Sequence, residues 1–160
     1  MPVGTIIVLA FLAFVAVTIF KGVRIVPQGY KWIVQRLGKY HSTLNPGLNF
    51  VIPYVDEVAY KVTTKDIVLD IPSQEVITRD NAVLLMNAVA YINLTTPEKA
   101  VYGIENYTWA IQNLVQTSLR SIVGEMDLDD ALSSRDHIKA KLKAAISDDI
   151  SDWGITLKTV

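Results

Sequence analysis

Val83-Leu84-Leu85-Met86-Asn87-Ala88-Val89-Ala90-Tyr91-Ile92-Asn93-Leu94, followed at once by Thr95-Thr96-Pro97-Glu98-Lys99-Ala100, is where this chain changes its grammar. In the first run Val83, Leu85, Asn87, Val89, Tyr91 and Asn93 fall on one face, and Leu84, Met86, Ala88, Ala90, Ile92 and Leu94 on the other. That period of two belongs to an extended strand, and the second, wholly apolar face predicts contact with a core. At Thr96 the pattern turns helical: Thr96 suits an N-cap, Pro97 the first helical position and Glu98 the positive end of the helix dipole. Strands before Thr96 and helices after it predict an α+β chain.

Working backward, β signals run through Glu75 to Thr78, Ile67 to Ile71, Val55 to Val62 and Val51-Ile52, punctuated by Pro72, Pro53 and an Arg79-Asp80-Asn81 turn. Asn45-Pro46-Gly47 is a further turn signal, because Pro presets φ and Gly accepts a positive φ. Val23 to Tyr40 reads as extended between Gly29 and Gly38. An antiparallel or mixed sheet is the simplest arrangement. Working forward, a short helix ends near Gly103. A longer one spans about Tyr107 to Val123 with Ile111, Leu114, Val115, Leu119 and Ile122 at helical spacing, and Gly124 as its stop. A third starts near Ser133 or Ser134, where Ser133-x-x-Asp136 resembles a capping box, with Ile138, Leu142, Ala145, Ile146 and Ile150 as its apolar stripe. Ile155 to Val160 reads as a strand interrupted mid-run.

The amino-terminal block sets this domain beside a membrane. Met1 to Phe20 carries no charged side chain and is almost wholly apolar, and as a helix it spans roughly 30 Å, enough for a bilayer core. The overall charge of -1 over 160 residues conceals a strong asymmetry. Residues 1–55 hold Lys21, Arg24, Lys31, Arg36 and Lys39 and no acid, giving +5; residues 56–160 hold the other 10 basic and all 16 acidic groups, giving -6. Positive charge gathered after the span predicts that this side is cytoplasmic and the amino terminus outside. A cleavable signal peptide is the competing reading, but the start lacks a basic n-region and Ala13 and Ala16 miss the small-x-small spacing. The expected organisation is an anchor over 1–22, a membrane-proximal β-rich subdomain over 23–95, and an α/β subdomain over 96–160, truncated at its last strand.

The residues give little support to catalysis. Without cysteine there is no disulfide framework, thiolate metal site, Cys nucleophile or palmitoylation site. Ser133, Ser134, Asp136 and His137 lie too close on one helix start to converge on a substrate carbonyl. His41 reads as a turn residue. Asp127, Asp129 and Asp130, and Asp148, Asp149 and Asp152, lack the glycine and terminal Glu of a calcium loop. Neither a P-loop nor a G-x-G-x-x-G run occurs. Hence no catalytic, cofactor or metal residue is expected, and nucleic acid is disfavoured because the basic cluster adjoins the membrane. Two features stand out. Lys21 to Lys39, with Lys21 and Arg24 nearest the span, could bind anionic lipid or simply set topology. Leu44 to Val55, with Leu48, Phe50, Val51, Ile52, Tyr54 and Val55 and no charge, could be a hairpin that dips into the lipid interface or a core hairpin under the sheet.

Taken together, Ile25-Val26-Pro27-Gln28-Gly29, Pro46-Gly47-Leu48, Pro53-x-x-Asp56, Asp70-Ile71-Pro72-Ser73-Gln74-Glu75-Val76-Ile77-Thr78-Arg79-Asp80-Asn81, Gln116-Thr117-Ser118-Leu119-Arg120-Ser121-Ile122-Val123-Gly124-Glu125-Met126, Leu132-Ser133-Ser134-Arg135-Asp136 and Trp153-Gly154-Ile155 resemble the stomatin, prohibitin, flotillin and HflK/C superfamily, SPFH or Band 7. The likeness is greatest to its bacterial stomatin-like, or paraslipin, branch. The resemblance implies a non-enzymatic scaffold of the bacterial inner membrane, crossing it once and homo-oligomerising into rings or cages through a coiled coil beyond these residues. It also implies organisation of lipid microdomains, and partners such as an NfeD-type membrane protein or a membrane-bound AAA protease whose substrate access the scaffold would control. In such an assembly the long helices and the opposed charges Arg120, Arg135 and Asp136 could make lateral contacts, unless they serve only intrachain caps and pairs.

Overall fold

The computed structural model describes residues 2–160. The chain is α+β, and it divides into two compact units, Met1–Thr63 and Thr64–Val160.

The first unit opens with α1 (Val3–Gly22), which passes directly into β1 (Val23–Val26). It continues through β2 (Tyr30–Arg36), β3 (Lys39–Leu44), β4 (Gly47–Phe50) and β5 (Asp56–Thr63). β1 pairs only with β4, and β2 lies between β3 and β5; every pairing is antiparallel. The turn from β2 to β3 places Leu37 at φ 52° and Gly38 at φ 82°, the double positive φ that a tight two-residue hairpin requires. Val26, Val34 and Leu44 form a small buried core, with Trp32, Val51 and Val58 packed against it. The segment 44–55, read from the sequence as a hairpin, is not one. β3 is already paired with β2, and the chain swings through Gly47 at φ 117° so that β4 pairs with β1 instead.

The second unit holds β6 (Ile67–Ile77), β7 (Val83–Leu94), α2 (Pro97–Gly103), α3 (Tyr107–Gly124), α4 (Leu128–Ser133), α5 (Arg135–Ser151) and β8 (Ile155–Thr159). Its sheet is antiparallel in the order β6-β7-β8. The two runs expected around Pro72 are one strand: pairing with β7 slips between Ile71 and Gln74, a bulge that accommodates a residue with no N–H. On the sheet, α3 packs over β6 and α5 over β8, with the two helices side by side. Ile111, Val115, Leu119 and Val123 on α3, and Ile138, Leu142, Ile146 and Ile150 on α5, are buried at strict four-residue spacing. Ala145, expected in that stripe, is exposed. The apolar face of β7 meets this core most fully at Ala90, Ile92 and Leu94.

The division at Thr63/Thr64 does not coincide with the expected boundary at Thr96. Because β8 pairs with Tyr91–Leu94, the β6-β7 ribbon is the platform for the helices that follow it. Two expected caps also differ. Thr96 makes no side-chain cap; its N–H instead donates to the Gly154 carbonyl at 2.9 Å, tying the start of α2 to the start of β8. The Ser133-x-x-Asp136 box does not form, because Ser133 ends the short helix α4 and its hydroxyl donates back to the Asp129 carbonyl at 2.7 Å.

Candidate membrane-proximal site

The side chains of α1 are overwhelmingly apolar and none from Val3 to Lys21 is buried, so the helix presents hydrocarbon to its surroundings along its length. It is one helix long and apolar enough to cross a membrane. Its foot is locked to the strand ribbon. The Val51 N–H donates to the Gly22 carbonyl at 2.8 Å, and a Cβ on Gly22 would lie 2.7 Å from the Val51 carbonyl oxygen. Only glycine permits that approach. Higher up, the rings of Phe14 and Tyr54 stack with centroids 6.4 Å apart and planes within 3°. The turn after β4 therefore runs alongside the helix.

Of the residues expected at a membrane interface, Leu48, Phe50, Ile52 and Tyr54 are exposed, with Leu48 at 65% and Phe50 at 68%. Val51 is half-buried, turned against the small core. Lys21 and Arg24 are exposed beside them. These seven residues thus come together in one unit, around the foot of α1.

The turn is held by a carboxylate. Asp56 accepts from Arg36 Nε at 2.7 Å and from a terminal nitrogen of the same guanidinium at 3.1 Å, and its second oxygen also accepts the Ile52 N–H at 3.1 Å. Its side chain is 4% exposed. The bond from Arg36, opposed by desolvation and helped by the Ile52 N–H, lowers its pKa to about 2. Trp32 and Lys61 face each other across the β2–β5 register, and the Lys61 ammonium lies 4.5 Å from the Trp32 ring centroid. Neither stood out in the sequence, since the pair is assembled by register; Asp56 did, within Pro53-x-x-Asp56.

Residues expected at oligomer contacts lie in the second unit. Arg120, at the end of α3, donates to Gln74 Oε1 at 3.0 Å, while Gln74 Nε2 donates to the Gln116 carbonyl at 3.0 Å and Gln112 Nε2 to the Asp70 carbonyl at 3.0 Å. These bonds clamp the β6 bulge to α3, so Arg120 has an intrachain role. Arg135 and Asp136 sit exposed on the first turn of α5. The Thr78–Ala82 turn is clasped likewise: Arg79 donates its N–H to the Met126 carbonyl at 3.0 Å and pairs with Asp127 at 2.6 Å. The Thr78 hydroxyl contacts Asp80 and holds its carboxyl below its ordinary pKa.

Against this geometry, residues 24–160 match the family described as SPFH domain / Band 7 family. The chain belongs to the SPFH/Band 7 family. It is 42% identical over 142 residues to an uncharacterised protein of Methanocaldococcus jannaschii, covering 89% of this chain and 71% of that one. It is 38% identical over 130 residues to human stomatin-like protein 2, mitochondrial, covering 81% of this chain and 36% of the relative. An uncharacterised Mycobacterium tuberculosis protein is 35% identical over 161 residues, covering 98% and 42%. The SPFH chain thus spans well under half of the human and mycobacterial relatives. Family members are generally non-catalytic scaffolds, and membership suggests a membrane-associated scaffolding role. Among the described residues no group of three or more His, Asp or Glu could hold a metal ion.

Proposed function

We propose that this SPFH protein is a non-enzymatic scaffold of the stomatin-like branch, anchored by α1 in a bacterial inner membrane with its domain in the cytoplasm, and assembling with copies of itself into a ring or cage that organises a patch of bilayer. The observation that carries the membrane reading is the stacking of Tyr54 on Phe14. Phe14 lies eight residues before Gly22, about 12 Å along the helix axis. With Lys21 at the interface, Tyr54 lies at the depth of the first acyl carbons, while Phe50, paired opposite Val23, and Ile52 lie lower, beside the head groups that Lys21 and Arg24 meet. The +5 of residues 1–55 supports the orientation. Anchoring confines copies to a plane and raises their effective concentration, so weak lateral contacts, including any at Arg120, Arg135 and Asp136, suffice to close an assembly.

Because the chain has no cysteine, single cysteines at Phe50, Ile52 and Lys143 can carry spin labels in vesicles. Labels at 50 and 52 relax with lipid-soluble oxygen and the label at 143 with an aqueous metal complex. Aqueous behaviour at all three sites overturns the interfacial reading, and a protein that stays monomeric when extracted with its native lipids overturns the scaffold.

A further inference from the structure

We propose that a cleft of about 770 Å³ at the foot of α1 is a discrete binding site for one anionic glycerophospholipid, its phosphate held between Arg24 and Lys61. The proposal rests on the reading of α1 as a membrane span and adds to it a site for a particular head group. Phe20 and Val23, on either side of the helix end, line the cleft together with Trp32, Val51 and Val58. An open pocket with an apolar floor, beginning where the span ends, is continuous with the acyl region and suits the glycerol and first methylenes of a lipid.

Charge selects the head group. Four ionic side chains line the cleft: Arg24, Lys61, Asp56 and Glu57. Asp56 is already neutralised by Arg36. Arg24 has no carboxylate partner among the described residues, which leaves two cations against Glu57. A phosphate diester meets both; an uncharged lipid would leave them unsatisfied. Trp32 adds discrimination. An open indole face attracts a quaternary ammonium, but this one is covered by the Lys61 ammonium at 4.5 Å. A choline head group would find the aromatic face occupied and a like charge upon it. The site therefore favours a phosphate whose head carries no fixed cation, such as phosphatidylglycerol, over phosphatidylcholine.

Trp32 also supplies the readout. The chain with Trp109→Phe and Trp153→Phe is placed in phosphatidylcholine vesicles in which either brominated phosphatidylglycerol or brominated phosphatidylcholine is the quencher at equal mole fraction. Trp32 is expected to be quenched preferentially by the glycerol lipid. The preference should fall roughly fivefold for each cation removed in Arg24→Gln and Lys61→Gln, and Arg24→Lys should restore most of it. Both cations are exposed, so the neutral variants keep the fold; carbonate extraction checks membrane integration in parallel. Equal quenching by the two lipids, or a preference untouched by the double variant, in a chain that resists extraction overturns this site and leaves the membrane reading intact. Release of the chain by carbonate overturns both. Relief of quenching by millimolar glycerol phosphate assigns the cations to soluble phosphates and overturns the lipid.

Discussion

Replacing Asp56 by Asn removes one charge while keeping the shape of the side chain. Asp56 is nearly enclosed, its oxygens taken by Arg36 and by the Ile52 N–H. The folded state lowers its pKa from 3.8 to about 2. A shift of that size corresponds to about 2 kcal/mol between the two protonation states. This is an upper value, because Arg36 is 37% exposed and solvent screens its side of the pair. The sign follows from the direction. A depressed carboxyl stabilises the fold fully above pH 3.8, and the contribution fades as pH falls from there through about 2. At pH 7, Asp56→Asn should therefore lower the stability of the first unit by up to about 2 kcal/mol, and the gap from the parent should close near pH 2. Hydrogen exchange of the Ile52, Tyr54, Val55 and Asp56 amides in detergent micelles, corrected for intrinsic rates and followed from pH 6 to pH 2, reads this locally. Equal protection of the two proteins at neutral pH, or a gap that does not narrow on acidification, would refute the assignment of Asp56 as the group that holds the turn.

Two further outcomes follow from the second unit. Gly154 has φ 68°, and a Cβ there would lie 2.5 Å from the Thr96 carbonyl oxygen and 2.7 Å from its Cβ, so Gly154→Ala should destabilise the unit by about 2 kcal/mol or more and loosen β8 first; thermal melting and exchange at Ile155 and Leu157 check this. Arg79→Gln breaks an exposed pair with Asp127, so it should change the melting temperature little and less still in high salt, whereas a collapse of the fold would show that the clasp carries more than surface electrostatics.

How far the sequence was legible depends on the range of each interaction. The alternation of Val83–Leu94, the four-residue spacing in α3 and the apolar run of α1 are local periodicities, and each yields the element it implies. The unit boundary is not local. It is decided by β8 returning more than sixty residues to pair with the end of β7, which carries a ribbon that reads as part of the β-rich half into the helical half. The same holds for β4, where composition gives a turn and a strand but only the pairing with β1 shows that the strand's partner lies before the turn. Leu48, Phe50, Ile52 and Tyr54 are exposed, whereas the uncharged run that contains them left a lipid-facing and a core hairpin equally open. The facing of Trp32 and Lys61 required the β2–β5 register, and Arg120's bond to Gln74 required a bulge that Pro72 only hints at.

The direct passage from α1 at Gly22 into β1 at Val23 has a mechanical meaning. A flexible tether would decouple an anchored domain from the orientation of its span. Here no slack residue intervenes, and the Gly22–Val51 bond and the Phe14–Tyr54 stack pin the helix at two heights to the segment that follows β4. Transmembrane helices tilt to match the thickness of the hydrocarbon around them. If α1 spans a bilayer as proposed, such a tilt would turn the β1–β4 ribbon with it, converting local membrane thickness into an angular displacement of protein structure at the bilayer surface.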